Sequence, residues 1–166
     1  GNSVTIEGLK TIALIFPVVI VCGLAVGKIF NWSGIRGRIL IDLGRPWDAL
    51  RDLTHALSLD PSDGDLYRLR GLAFEGVDRP WHAIQDYNQA LRHNANPGIL
   101  FASRGSCLAG LGQLLRALAD FRRHIEIDPL DFRTLTNRGV ALLHLNRLSE
   151  AASDLNRAVQ IHPGYA

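Results

Sequence analysis

The chain has 166 residues, 47% of them hydrophobic and 20% charged, which allows one compact domain and an appendage. Its 18 basic and 16 acidic side chains give a formal net charge of only +2. That balance argues against a nucleic-acid partner, whose binders carry a surplus of positive charge on one face, and two cysteines, Cys22 and Cys107, are too few for a disulfide framework.

Residues 1–10 form a short polar tail. Gly1 with Thr5 fits the loose pattern for N-myristoylation, although a plainly processed terminus explains the same residues. Thr11 to Gly27, reading TIALIFPVVIVCGLAVG, carries no charge, and as a helix it would be about 25 Å long. Lys10 and Lys28 bracket it, and Ile29, Phe30 and Trp32 follow where an interfacial belt would lie. Pro17 would kink such a helix, which membrane helices tolerate. A soluble helix apolar on every side needs an enclosure that four repeats do not offer, and a lipoprotein signal centred on Cys22 calls for a smaller residue than Val21. Residues 11–29 are therefore predicted to be a single transmembrane anchor. Lys10 precedes it, whereas Lys28, Arg36, Arg38 and Arg45 follow, which places the remainder on the cytoplasmic side of a bacterial inner membrane, the periplasmic side being the alternative.

From residue 30 onward small residues return every thirty-four positions. Arg-Gly stands at Arg36-Gly37, Arg70-Gly71, Arg104-Gly105 and Arg138-Gly139. Twelve residues after each Gly comes Ala49, Ala83, Ala117 or Ala151, and twelve further on Pro61, Ala95, Pro129 or Pro163. A fixed period of this length marks a stacked architecture in which no unit buries its apolar face alone. The copies, 30–63, 64–97, 98–131 and 132–163, each read as two helices joined by a tight turn. In the third, the first helix is expected near Ile99 to Gly110, the turn at Leu111-Gly112-Gln113, and the second helix near Leu114 to Ile127. A side chain at Gly105 would push the two helices apart. Pro46 and Pro80 open second helices, where a missing amide hydrogen costs nothing, and Pro129 and Pro163 close them. The junction from His93 to Pro97 has its proline two residues late, which predicts a different turn there.

These residues resemble the tetratricopeptide repeat family. Its succession of aromatic, Gly, aromatic, Ala, aromatic, Ala and Pro is met in the second copy by Tyr67, Gly71, Phe74, Ala83, Tyr87 and Ala90. The third copy has Phe101, Gly105, Leu108, Ala117, Phe121, His124 and Pro129. The aromatic slots hold Ser33, Leu40 and Leu53 in the first copy and Leu135, Leu142 and Leu155 in the fourth, and every copy has Arg before Gly where the family has Leu. The resemblance implies an all-α fold, here a transmembrane helix followed by an α-solenoid of four helix-turn-helix repeats, and a concave groove lined by the first helices. By carry-over the lining is Asn31, Gly34, Arg38 and Asp42; Asp65, Arg68, Leu72 and Glu75; Ile99, Ala102, Ser106 and Ala109; Arg133, Thr136, Val140 and Leu143. Members that hold a peptide carboxylate use Lys in this groove, and no Lys follows Lys28. The strip of Ile99, Ala102, Ala109, Val140 and Leu143 instead suits a partner helix or extended peptide, the plainer alternative being a surface that faces water.

Each lattice Arg has an Asp sixteen positions later: Arg36 with Asp52, Arg70 with Asp86, Arg104 with Asp120, Arg138 with Asp154. Across an antiparallel helix pair this offset brings guanidinium and carboxylate together, a structural pairing rather than a catalytic one because it recurs in four equivalent places. The six His lie at 55, 82, 93, 124, 144 and 162, without ligand spacing for a metal, and no Gly loop suits a phosphate, so neither cofactor nor enzymatic activity is expected. Trp47 and Trp81, in RPWDA and RPWHA, occupy equivalent sites and either cover the helices beneath or form a docking ledge. At the far end Ala151, Ala152, Leu155, Ala158 and Val159 are expected to face the place of a capping helix or a partner. The sequence thus reads as a membrane-anchored scaffold, an accessory subunit whose partners are other protein subunits, their transmembrane helices and lipid. A transient peptide receptor or assembly factor is the alternative.

Overall fold

In the computed structural model the described residues are 32–93 and 95–165. The tail, the anchor expected at 11–29 and Asn31 lie outside them. Among the described residues no helix is long and apolar enough to cross a membrane.

Within the described residues eight α-helices follow one another: α1 (Trp32–Asp42), α2 (Pro46–Leu59), α3 (Gly64–Gly76), α4 (Pro80–Arg92), α5 (Pro97–Gly110), α6 (Leu114–Ile127), α7 (Phe132–His144) and α8 (Leu148–Ile161). A short 3-10 turn, Pro163–Tyr165, ends the series. Odd and even helices pair as hairpins, each even helix packs on the next odd one, and α1 touches α3 as α5 touches α7. The result is a solenoid with odd helices on one side and even helices on the other.

The lattice glycines lie where helices of a hairpin cross. A Cβ at Gly37, Gly71, Gly105 or Gly139 would stand 2.6, 2.5, 2.7 or 2.8 Å from Leu53, Tyr87, Phe121 or Leu155. Ala49, Ala83, Ala117 and Ala151 are wholly buried for the same reason, since the opposing helix leaves room for a methyl group and no more. The apolar core passes without interruption from Ala83 and Tyr87 on α4 through Leu100 and Leu108 on α5 to Phe121 on α6 and Ala141 on α7. Burying one such large apolar side chain contributes about 1.5–3 kcal/mol.

Turn chemistry repeats with the same period. Gly44, Asp78, Gly112 and Asn146 all have positive φ, at 69, 55, 73 and 58°. Behind each, an amide closes the helix end, as Gln113 N–H donates to the Leu108 carbonyl at 2.9 Å and Gly112 N–H to Ala109 at 2.9 Å. Glycine and asparagine suit this left-handed slot because they bear it at least strain. The odd helices α3, α5 and α7 start on side-chain caps: Asp63 accepts from the amides of Asp65 and Leu66, Asn96 from Gly98 and Asp131 from Arg133. The even helices α2 and α4 start on Pro46 and Pro80. At the second junction Pro97 leaves the linker and becomes the first residue of α5, with Asn96 as its cap, which is the altered turn that its late position predicts.

One expectation needs correction. Ala151 and Ala158 are buried and Leu155 packs against Gly139, so these three face inward, and only Ala152 and Val159 of that group are exposed. On a helix of 3.6 residues per turn, positions 151, 155 and 158 share one face, and α7 already covers it. His162 also stacks on Phe132, with ring centroids 4.7 Å apart, tying the end of α8 back to α7.

Candidate functional site

The structure brings every lattice Arg to its Asp. Arg70 Nε and Nη2 donate to Asp86 at 2.7 and 2.8 Å, Arg104 to Asp120 at 2.7 and 2.7 Å, and Arg138 to Asp154 at 2.6 and 2.6 Å. Arg36 lies 3.1 Å from Asp52, but the atoms are misaligned and this pair makes no hydrogen bond. Asp86, Asp120 and Asp154 are buried, and each guanidinium bridges an odd helix to its even partner. The hydrogen bonds to Asp86 and Asp154 raise the pKa of Arg70 and Arg138 against the opposing effect of burial. The outer faces differ. Arg70 lies over the rings of Tyr67 and Phe74 at 5.6 and 5.9 Å, and Arg104 lies over Phe101 at 5.8 Å while its Nη1 donates to Asn88 Oδ1 at 2.6 Å.

The groove residues fall into two halves. In the first, charges satisfy one another along single helices: Arg38 with Asp42 at 3.1 Å and Arg68 with Asp65 at 3.0 Å. Such exposed pairs contribute little, and they leave the surface mixed and polar. Two carried-over residues are not free for a ligand: Leu72 packs on the buried core formed by α1, α2 and α3, and Glu75 accepts the Tyr87 hydroxyl. In the second half Ile99, Val140 and Leu143 are 58, 44 and 46% exposed. Ala102, Ser106, Ala109 and Thr136 are half-buried, and Arg133 lies over Phe132 at 5.8 Å. Between α5 and α7 a cavity of about 300 Å³ opens, lined by Ser106, Ala109, Gly110, Val140, Ala141, Asn137 and His144 among others. Asn137, which sequence reasoning missed, donates to Ser106 Oγ at 3.2 Å across this gap. The signal was a polar residue in a slot that holds Ile35, Leu69 and Ser103 in earlier copies.

Trp47 and Trp81 both lie exposed in the first turns of α2 and α4, at 65 and 53%. The same slot of the third copy holds Leu115, also exposed.

Two polar clusters lie against the apolar layers. Burial raises the pKa of Glu75, opposed by hydrogen bonds from Tyr87 and Cys107. Although Glu75 as a whole is exposed, its carboxyl end is hydrogen-bonded by the wholly buried Tyr87. Burial, then the neighbouring Glu75, pushes the Cys107 thiol up to about 12, so it is no nucleophile at neutral pH. The second cluster centres on His124, which stands where the other copies have Ala56, Ala90 and Ala158. Its Nδ1 lies 2.8 Å from the Gly98 carbonyl and its Nε2 2.9 Å from Asp131 Oδ2, which also accepts from Thr134 Oγ1 at 2.6 Å. Burial pushes the Asp131 pKa up, but Thr134, the Arg133 amide and His124 together outweigh it and hold the carboxyl low. Unfolded Asp131 therefore takes up its proton at higher pH than folded Asp131. Its contribution is present above the ordinary carboxylate pKa of about 4 and is lost as pH falls through the lower folded value. Asp131→Ala is expected to lower the thermal midpoint at pH 7 and to matter progressively less below about pH 4, read by circular dichroism against the parent chain. No group of three or more potential metal ligands occurs among the described residues.

Residues 128–166 match the family model described as tetratricopeptide repeat. No curated protein gives a significant sequence match. Among solved structures, a crystal structure of MamA superposes with a TM-score of 0.77 at 21% identity, covering 98% of this chain and 97% of that one. MamA residues 41 to end from Desulfovibrio magneticus give 0.74 at 20% identity, covering 80% of this chain and 75% of that one. PilF of Pseudomonas aeruginosa gives 0.70 at 18%, with 80 and 61% covered. At these identities the likeness is one of fold. The last copy matches the family model, and the three before it build the same hairpin from the same lattice, so the chain has the fold of tetratricopeptide repeat proteins.

Proposed function

We propose that the chain is a membrane-anchored interaction scaffold, an accessory subunit of a multisubunit membrane complex, and not an enzyme. Residues 11–29 act as the anchor and pack against transmembrane helices of other subunits and lipid, with the repeats on the cytoplasmic side of a bacterial inner membrane. The groove between α5 and α7 holds an apolar helix or extended segment of a partner. The observation that carries this reading is the cavity of about 300 Å³ lined in part by the exposed Val140, between two helices that also expose Ile99 and Leu143, since apolar surface of this kind gains stability when a partner covers it. The lattice ion pairs hold each odd helix in register on its even partner and so keep the groove in shape.

The test uses the full chain in its own membranes, extracted in mild detergent. Co-migration with one defined large complex is the expected result. Ile99→Asp and Leu143→Asp, both at exposed positions and so of little consequence for folding, are expected to release the chain from that complex. Migration of the parent chain alone would overturn the accessory-subunit reading in favour of a transient receptor or assembly factor. Unchanged co-migration of both variants would move the contact to Trp47 and Trp81.

A further inference from the structure

On the side opposite the groove, a cleft of about 520 Å³ lies between α6 and α8, with α7 as its floor. Its wall combines Leu115, Leu118 and Leu142 with four arginines, Arg122, Arg138, Arg147 and Arg157, against two acids, Glu150 and Asp154. Asp154 is taken up by Arg138 and Glu150 by Arg147 at 2.7 Å. The cleft therefore holds an excess of positive charge in a chain whose repeats are otherwise nearly balanced.

The repeats themselves show what is missing there. One copy earlier, Arg104 fills its outer Nη1 with the side-chain oxygen of Asn88 and its face with Phe101. The residue equivalent to Asn88 is Arg122, thirty-four positions on, and the equivalent of Phe101 is Leu135. A cation cannot accept a hydrogen bond, so Arg138 has neither of these partners and shares its cleft with a further like charge, Arg122. Among the described residues Arg122 has no hydrogen-bond or ion-pair partner, and Arg157 makes only a 3.3 Å donation to the Pro129 carbonyl. Two guanidinium groups thus share a cleft at the place where the preceding copy has an acceptor oxygen.

We infer that this cleft is a second binding site, for a carboxylate-bearing peptide segment of a protein partner. One carboxylate takes the place of the Asn88 oxygen and bridges Arg138 and Arg122, while apolar side chains flanking it rest on Leu115, Leu118 and Leu142. The planar fork of arginine matches a carboxylate, and the leucine wall rewards a peptide in a way that it does not reward a small hydrated anion.

The test titrates the full chain, by calorimetry, with an acetylated peptide of alternating Leu and Asp, with its Leu and Asn counterpart, and with inorganic phosphate. The acidic peptide is expected to bind, more weakly as salt is raised from about 0.05 to about 0.5 M. Arg122→Asn is expected to weaken that binding about tenfold, the loss of one charge-assisted contact. The same substitution gives Arg138 the amide acceptor that Arg104 already has, so the thermal midpoint should hold or rise, and Arg157→Gln provides an independent second variant. Equal binding of the Asn peptide would overturn the inference in favour of plain apolar contact. Displacement of the acidic peptide by phosphate at equal concentration would overturn the peptide as occupant, and unchanged binding to both variants would place the peptide elsewhere.

Discussion

Gly105→Val is expected to unfold the third hairpin. The Cβ alone would stand 2.7 Å from Phe121 Cε1 and 2.8 Å from Cδ1, and Phe121 is wholly buried. Overpacking of this kind costs about 1–3 kcal/mol for added methylenes, and a branched side chain pressed on a rigid ring belongs at or above the top of that range. The helix-propensity gain on leaving glycine, under about 1 kcal/mol, does not offset it. Chemical denaturation should show the loss directly. Gly105→Val combined with Phe121→Ala should be less destabilised than the sum of the two single changes, because one variant makes the room that the other needs. Additive losses would mean that the close approach is not what keeps position 105 small. Hairpins of a solenoid are coupled to their neighbours, so the third failing should also uncover the apolar faces of the second and fourth.

Asp120→Ala is expected to be the other severe change. Asp120 is buried and receives both Nε and Nη2 of Arg104, so its removal leaves a half-buried guanidinium with only Asn88 and the face of Phe101. Breaking one partner of a buried pair costs about 3–5 kcal/mol, whereas replacing both with apolar side chains of similar size is often neutral. Arg104→Met with Asp120→Leu should therefore recover most of the stability lost in Asp120→Ala. Asp52→Ala provides the contrast. Its partner Arg36 stands at 3.1 Å without an aligned hydrogen bond and both groups are more exposed, so the expected loss is below about 1 kcal/mol. A loss at Asp52 as large as that at Asp120 would show that charge and not bidentate geometry governs the lattice.

The all-helical solenoid was legible before any coordinates, because its determinants are local. Pro46 and Pro80 open helices through a missing amide hydrogen, Gly44 and Gly112 close them through a left-handed backbone, and both effects act within a few residues. The thirty-four-residue spacing then told which residues would meet across a hairpin, since each copy solves the same packing problem. That is why Gly105 could be set against its neighbouring helix, and Arg104 against Asp120, from spacing alone.

Departures from the period are where that reasoning ended. His124 looked like a variant of a small slot, and only the packing of α5, α6 and α7 shows it held by Gly98 and Asp131. Nothing in the sequence analysis set Arg122 apart, and only the approach of α8 shows it sharing a cleft with Arg138 and Arg157. The inward turn of Leu155 likewise follows from the rotation of α8 about its own axis. A sequence states the order and periodicity of side chains along each helix. Which of them converge from different copies depends on how far each helix turns and shifts when the hairpins stack, and that is a property of the assembled core.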